Sequence, residues 1–362
     1  MSEENMKVLL VTRTLNQKQN DGGSIVSKRN YRMLCQCCGY NNIDTLEIKK
    51  VSNFIKLRNL LFREDYGVTK PIKKAFVDMV ENTKYDFVFF NSSLYGELVK
   101  ICATKNILTI VFYHNVEFKY YRAMFHNYKN FLSYVFSTYI KSIEKKSTIY
   151  SDFRIALTDR DAAGINDIYK KPCDLILPIS MPMRNISVVR RKSLNKNCAF
   201  IGSDFFANCQ GIYWFIEKVL PFIDCELILA GSICNAVSAQ YPDRQGIHFV
   251  GYVDNLDSFY YDIDFIVSPI FAGSGMKTKT VEALSYGKSV VGTEEAFVGI
   301  IADFNKIGGF CNTAEDFISC INGKKFELFN KYSYSYFKQN LSDDNIFEKF
   351  NMFCKAKNIF GN

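Results

Sequence analysis

The chain predicts two doubly wound, Rossmann-like α/β domains facing each other across a cleft, with helices at the C-terminus. Three observations predict it. At 362 residues it is longer than one hydrophobic core usually serves. Short apolar runs alternate with longer helical patterns almost throughout. The alternation is broken once, near the middle, by a basic stretch poor in strand formers.

In chain order, the first series of strands is expected at 7–11, 42–46, 87–90, 108–112, 154–157 and 175–177. A second follows at 198–201, 226–230, 248–250, 265–267 and 289–291. Helical patterns lie between most of them, which is the signature of parallel sheets. Pro178 and Pro182 precede RNISVVRRKSLNK, so the linker is placed at 183–196. The first domain then spans 1–182 and the second 197–340, and a terminal helix at 341–362 is expected to pack back towards the first domain. In open parallel sheets ligands lie beyond the carboxyl ends of the strands, so the residues that follow each strand are where chemistry is sought.

Composition narrows the partners. The formal net charge of +8 favours anions such as phosphate-bearing substrates or lipid headgroups, and is too small to argue for nucleic acid. Twelve cysteines are scattered without a CxxC pair and only three histidines are present, so free thiols are expected and no metal site. The N-terminus is acidic before its first strand, the reverse of a signal peptide, and the longest uncharged aromatic stretch is too short to span a bilayer. The protein is expected in the cytoplasm.

The strongest local signal is IFAGSGMKTKTVE at 270–282, followed by ALSYGKSVV. A strand ends at Pro269. Gly273, Ser274 and Gly275 then allow a sharp turn, and a helix is expected from about Met276 to Gly287. Such a turn offers unpaired amides and the positive end of a helix dipole, a setting for a diphosphate. Lys277 and Lys279, expected in the first helical turn, oppose that dipole unless an anion sits between them. Glu282 follows Thr278 by four residues and Lys279 by three, on one helix face. There it can accept hydrogen bonds from ribose hydroxyls.

His114 directly follows a strand, and Glu117 is close enough in sequence to orient it or to take a proton from an acceptor. Gly22 and Gly23 follow the polar loop after strand one and let backbone approach a ligand, or form a plain turn. Asp262 and Asp264 form a DxD pair, but ahead of their strand, so they are expected to serve a helix-to-strand turn. Neither domain contains GxGxxG, which argues against a dinucleotide cofactor.

These segments together resemble a family. GSGMKTKTVEALSYGKSVV resembles the sugar-nucleotide motif of GT-B retaining glycosyltransferases, family 4 (glycosyl transferases group 1), and FIGSDFFANCQG resembles the opening of their C-terminal domain. Gly22-Gly23, HNVE at 114–117 and ALTDRDAAGI at 156–165 resemble further family segments, in the family's order. The resemblance implies transfer of a sugar from a nucleoside-diphosphate donor to a glycan or lipid-linked acceptor, with retained anomeric configuration and neither cofactor nor metal. It implies catalytic roles for His114, Lys277 and Glu282. Substrate contacts are implied for Gly22, Gly23, Glu117, Gly202, Ser203, Asn208, Gly273, Ser274, Gly275, Met276, Thr278 and Lys279. Two departures stand out. Ser274 occupies the position of the family's first glutamate, eight before Glu282, and the usual Arg and Lys early in the second domain are absent. A non-catalytic sugar-nucleotide-binding partner of a glycosyltransferase complex, or a sugar-nucleotide epimerase, is the alternative.

Two segments suggest contact with the inner face of a membrane. KKVSNFIKLRNLLFR at 49–63 sets an apolar face among basic residues, and 118–146 is crowded with Tyr and Phe. An apolar helix face more often belongs to a core. The resemblance tilts the expectation towards contact.

Overall fold

The structure is a computed structural model that describes residues 6–15, 22–126, 131–184 and 197–360. The polar stretch 16–21 and, from residue 185, the expected linker lie outside the described residues. The chain forms two compact units: Met1–Pro178 together with Ile346–Asn362, and Ile179–Asn345.

The first unit holds a sheet of six parallel strands: β1 (Val8–Arg13), β2 (Ile43–Ile48), β3 (Phe87–Phe90), β4 (Thr109–Tyr113), β5 (Phe153–Ala156) and β6 (Leu175–Ile176), in the order β2-β1-β3-β4-β5-β6. The central strands are buried on both faces, as their unbroken apolar runs require. Leu9, Val11, Val88, Phe90 and Val111 pack with Phe76, Leu98, Val99 and Ile165 on one side. Alternate residues turn to the other side, where Phe89 meets Phe112 and Phe350, and Phe87 meets Phe360.

The second unit holds β7 (Asn197–Ile201), β8 (Glu226–Ala230), β9 (Ile247–Gly251), β10 (Phe265–Ser268), β11 (Ser289–Gly292) and β12 (Gly308–Phe310). These are also parallel, in the order β12-β11-β10-β7-β8-β9. All eleven expected strands are present, and β12 is additional.

Strand order reverses between β1 and β3 in one sheet and between β7 and β10 in the other. Connections on either side of such a point leave in opposite directions and open a crevice at the carboxyl ends of the strands. All twelve cysteines are free thiols. No helix among the described residues is long and apolar enough to cross a membrane.

Candidate functional site

In the second unit, the reversal point brings together the turn after β10 and the loop after β7. The chain leaves β10 through Gly273 (φ 144°) and Gly275 (φ 63°), conformations that a side chain disfavours, and enters the helix Thr278–Ser285. The helix therefore starts two residues later than expected. Lys277 is not in its first turn but at the N-cap, in extended conformation, and it offers no side-chain acceptor to the first amides. Its Nζ donates to Glu295 Oε1 at 2.7 Å and to the Gly275 carbonyl at 2.9 Å, closing the turn.

Lys279 is placed differently. Its Nζ lies over the Phe200 ring, 4.6 Å from the centroid, and against Gly202, where any Cβ would collide with the ammonium. Among the described residues no carboxylate comes within ion-pairing distance of it. Burial pushes its pKa down to about 7, with Lys277 adding to the shift and Glu282 opposing it. The two lysines are thus not equivalent. One holds the turn, and the other is a cation whose charge an anion would stabilise.

Ser203 is fixed by Asn208, whose Nδ2 donates to the Ser203 carbonyl at 2.8 Å. Met276 is buried, and its sulfur accepts the Ile179 amide at 3.3 Å, so it anchors the turn. Ser274 and Thr278 are half-buried at the turn and the helix start. Asp264 is buried at the amino end of β10, and its amide donates to Asn197 Oδ1 at 2.8 Å. The DxD pair serves the sheet edge, away from the turn after β10.

In the first unit, the reversal point is laced by side chains. Asn30 donates to Asn91 Oδ1 at 2.7 Å, and Asn91 donates to Thr12 Oγ1 at 2.9 Å. His114 Nε2 lies 3.0 Å from the Asn91 carbonyl, which can only accept, so Nε2 carries the proton and Nδ1 is the acceptor of the neutral ring. Glu117 is buried at the start of the helix Glu117–His126. Its carboxyl pKa rises to about 7 through burial, with Glu144 adding and Arg13 opposing. Gly22 and Gly23 are not loop residues but form the first turn of the helix Gly22–Cys38.

Residues 195–321 match the family described as Glycosyl transferases group 1. The matched segment contains both the loop after β7 and the turn after β10. An uncharacterized 44.6 kDa protein in the cps region of Klebsiella pneumoniae is 24% identical over 336 residues, covering 80% of this chain and 83% of that protein. The structure of Anabaena HepE in complex with UDP aligns with a TM-score of 0.68 at 11% identity, over 97% of this chain and all of HepE. WaaG, a glycosyltransferase involved in lipopolysaccharide biosynthesis, aligns at 0.61 and 14%, over 98% of this chain and all of WaaG. The fold is GT-B.

Within the matched segment, Glu282 is more enclosed than its sequence position suggests. Its side chain is 16% exposed, Tyr260 donates to its Oε2 at 3.3 Å, and Arg184 lies 3.9 Å from its Oε1. Arg184 also stacks on Tyr286. Burial raises the Glu282 pKa, and Arg184, Tyr260 and Lys279 restrain the rise. Neither Arg184 nor Glu295 is apparent from the sequence as a partner of the motif. Arg184 precedes the motif by some ninety residues, inside the presumed linker, and Glu295 sits in a short turn after β11. Since Glu282→Ala would also take the acceptor from the buried Tyr260 hydroxyl, Glu282→Gln is the cleaner change. If Glu282 holds a nucleotide ribose, the change is expected to weaken the nucleoside diphosphate by about 1.5–3 kcal/mol, the worth of a hydrogen bond to a charged group, with the thermal midpoint close to wild type. Unchanged affinity by calorimetry rules out a ribose-binding role.

Proposed function

We propose that the protein is a retaining glycosyltransferase that moves a sugar from a nucleoside-diphosphate-sugar to a glycan or lipid-linked acceptor in surface polysaccharide biosynthesis. The observation that carries this reading is Lys279: an ammonium with no carboxylate at ion-pairing distance among the described residues, beside an uncapped helix start, at the reversal point of the segment that matches group 1 glycosyltransferases. Breaking the bond between sugar and diphosphate builds negative charge on the leaving phosphate. Prepositioned amides and an ammonium stabilise that charge more in the transition state than in the ground state. The second unit would hold the donor. The first unit would hold the acceptor, with His114 and Glu117 as its candidate contacts. The cps-region relative, the UDP in HepE and the lipopolysaccharide role of WaaG support the same assignment.

The test is a panel of UDP-, GDP- and dTDP-sugars, each with and without excess EDTA. One donor is expected to be hydrolysed slowly without acceptor, equally in both arms, because the charge is assigned to Lys279 and amides. Transfer to acceptor should retain the anomeric configuration by NMR. Binding without turnover of any donor would identify a non-catalytic partner, and conversion of UDP-GlcNAc to its epimer an epimerase. Complete, reversible loss in EDTA would overturn the metal-independent assignment.

A further inference from the structure

We propose that the helix Asn53–Phe62 docks the protein on bilayers containing anionic lipids, lying in the headgroup layer with its apolar stripe inserted. This rests on the proposed transfer to a membrane-borne acceptor. Phe54, Leu57, Leu61 and Phe62 are 77%, 55%, 69% and 70% exposed. They recur at i, i+3, i+7 and i+8, so they form one stripe along a three-turn helix. Single exposed apolar residues are ordinary, whereas a stripe of four large ones on one short helix marks an interaction face.

The helix is held so that this stripe stays outward. Asn59, fully buried on the opposite side, donates to the carbonyls of Asp65 and Val68, both at 2.7 Å. Leu60 packs on Leu94, Tyr139, Ile140 and Ile143. Ser52 caps the first turn, and Arg63 ends the last in left-handed conformation.

Charge selects the occupant. From Lys49 to Lys74 there are eight basic residues and two acidic ones, a net +6 within a chain whose total is +8. One of the two acids, Asp65, is buried. A protein partner would have to match both a flat apolar stripe and this excess of charge. A leaflet of anionic headgroups over acyl chains supplies both, since lysines and arginines reach headgroups while aromatic and aliphatic side chains pass below them. Part of the second aromatic segment is core. Tyr139, Ile140 and Ile143 of the helix Phe131–Tyr150 are buried in the unit.

The test is co-sedimentation of the full chain with vesicles of phosphatidylcholine, alone or mixed with phosphatidylglycerol. The protein is expected to bind the mixed vesicles, less strongly as salt rises. Replacing Phe54, Leu61 and Phe62 together by serine should lower the bound fraction by about tenfold or more, because their apolar area no longer leaves water. The thermal midpoint and UDP affinity should stay at wild type. Lys49→Glu with Lys50→Glu should abolish the preference for phosphatidylglycerol. Binding that is absent, or equal in the wild type and the serine variant, overturns the proposal. So does a dimer in vesicle-free solution that the serine variant dissolves, which would assign the stripe to a protein interface. Transfer to a short, soluble acceptor separates the two readings. If it persists while vesicle binding fails, only the docking proposal falls. If UDP and sugar nucleotides fail to bind while vesicles do, only the functional reading falls.

Discussion

Lys279→Ala is expected to lower sugar transfer by about 10²–10³-fold, the usual loss when one preorganised charge donor is removed, and to weaken UDP as well. The free protein holds this ammonium at a pKa of about 7, because burial over Phe200 disfavours the charge. A diphosphate beside it would pull the pKa back towards the ordinary lysine range. UDP binding should therefore take up about one proton at pH 8–9 and none at pH 6, with affinity tightening as pH falls towards 7. For the unliganded fold the sign is opposite to a stabilising ion pair. Between about 7 and about 10.4 the unfolded chain holds a proton that the folded chain lacks, so this group makes stability rise with pH across that window. Calorimetry in two buffers of different ionisation enthalpy reads the uptake directly. If Lys279→Ala takes up as many protons as wild type, the linkage belongs elsewhere. Lys277→Ala should behave otherwise. It removes the ion pair to Glu295 and the bond to the Gly275 carbonyl that close the turn, so the loss should appear first as a lower thermal midpoint and only then as weaker UDP binding.

His114→Ala is expected to cut transfer by about 10²-fold or more while UDP affinity stays near wild type, the pattern of a group that acts mainly in the transition state. The motivation is placement. His114 follows β4 in the first unit, with its Nε2 proton committed to the Asn91 carbonyl and Asn91 itself tied to Asn30 and Thr12. The Asn91 carbonyl thus orients the ring. The comparison needs kcat, KM for the sugar nucleotide and the UDP dissociation constant from the same preparations. A variant that loses UDP affinity but keeps its turnover at saturation would place His114 with the donor instead.

The central strands were legible because they are buried on both faces and so read as apolar runs, as in VLLV of β1 and FVFF of β3. β12 was not legible, since Gly308 and Gly309 carry no strand preference. Glycine is there because a Cβ on Gly308 would run into the Val290 backbone, a constraint visible only in three dimensions. The turn at 273–279 could be read from its glycines and lysines, but the difference between Lys277 and Lys279 could not. It depends on Glu295 for one and on Phe200 and Gly202 for the other, all brought close by tertiary folding. The helix Asn53–Phe62 reads alike as a core element or a surface element, because periodicity finds an apolar face without saying what covers it.

The first unit is assembled from two stretches of chain that synthesis separates. Phe350 and Phe353 pack on Phe89 and Phe153, and Phe360 on Phe87, yet the whole second unit is made between these partners. At about 5–20 residues per second, those phenylalanines of the first sheet wait roughly 10–55 s for their cover to leave the ribosome. The unit begun first is completed last, so the nascent chain carries an unfinished aromatic surface throughout the making of its second unit. Substitutions in Ile346–Asn362 should thus be felt as poor yield of the whole protein rather than as a local defect.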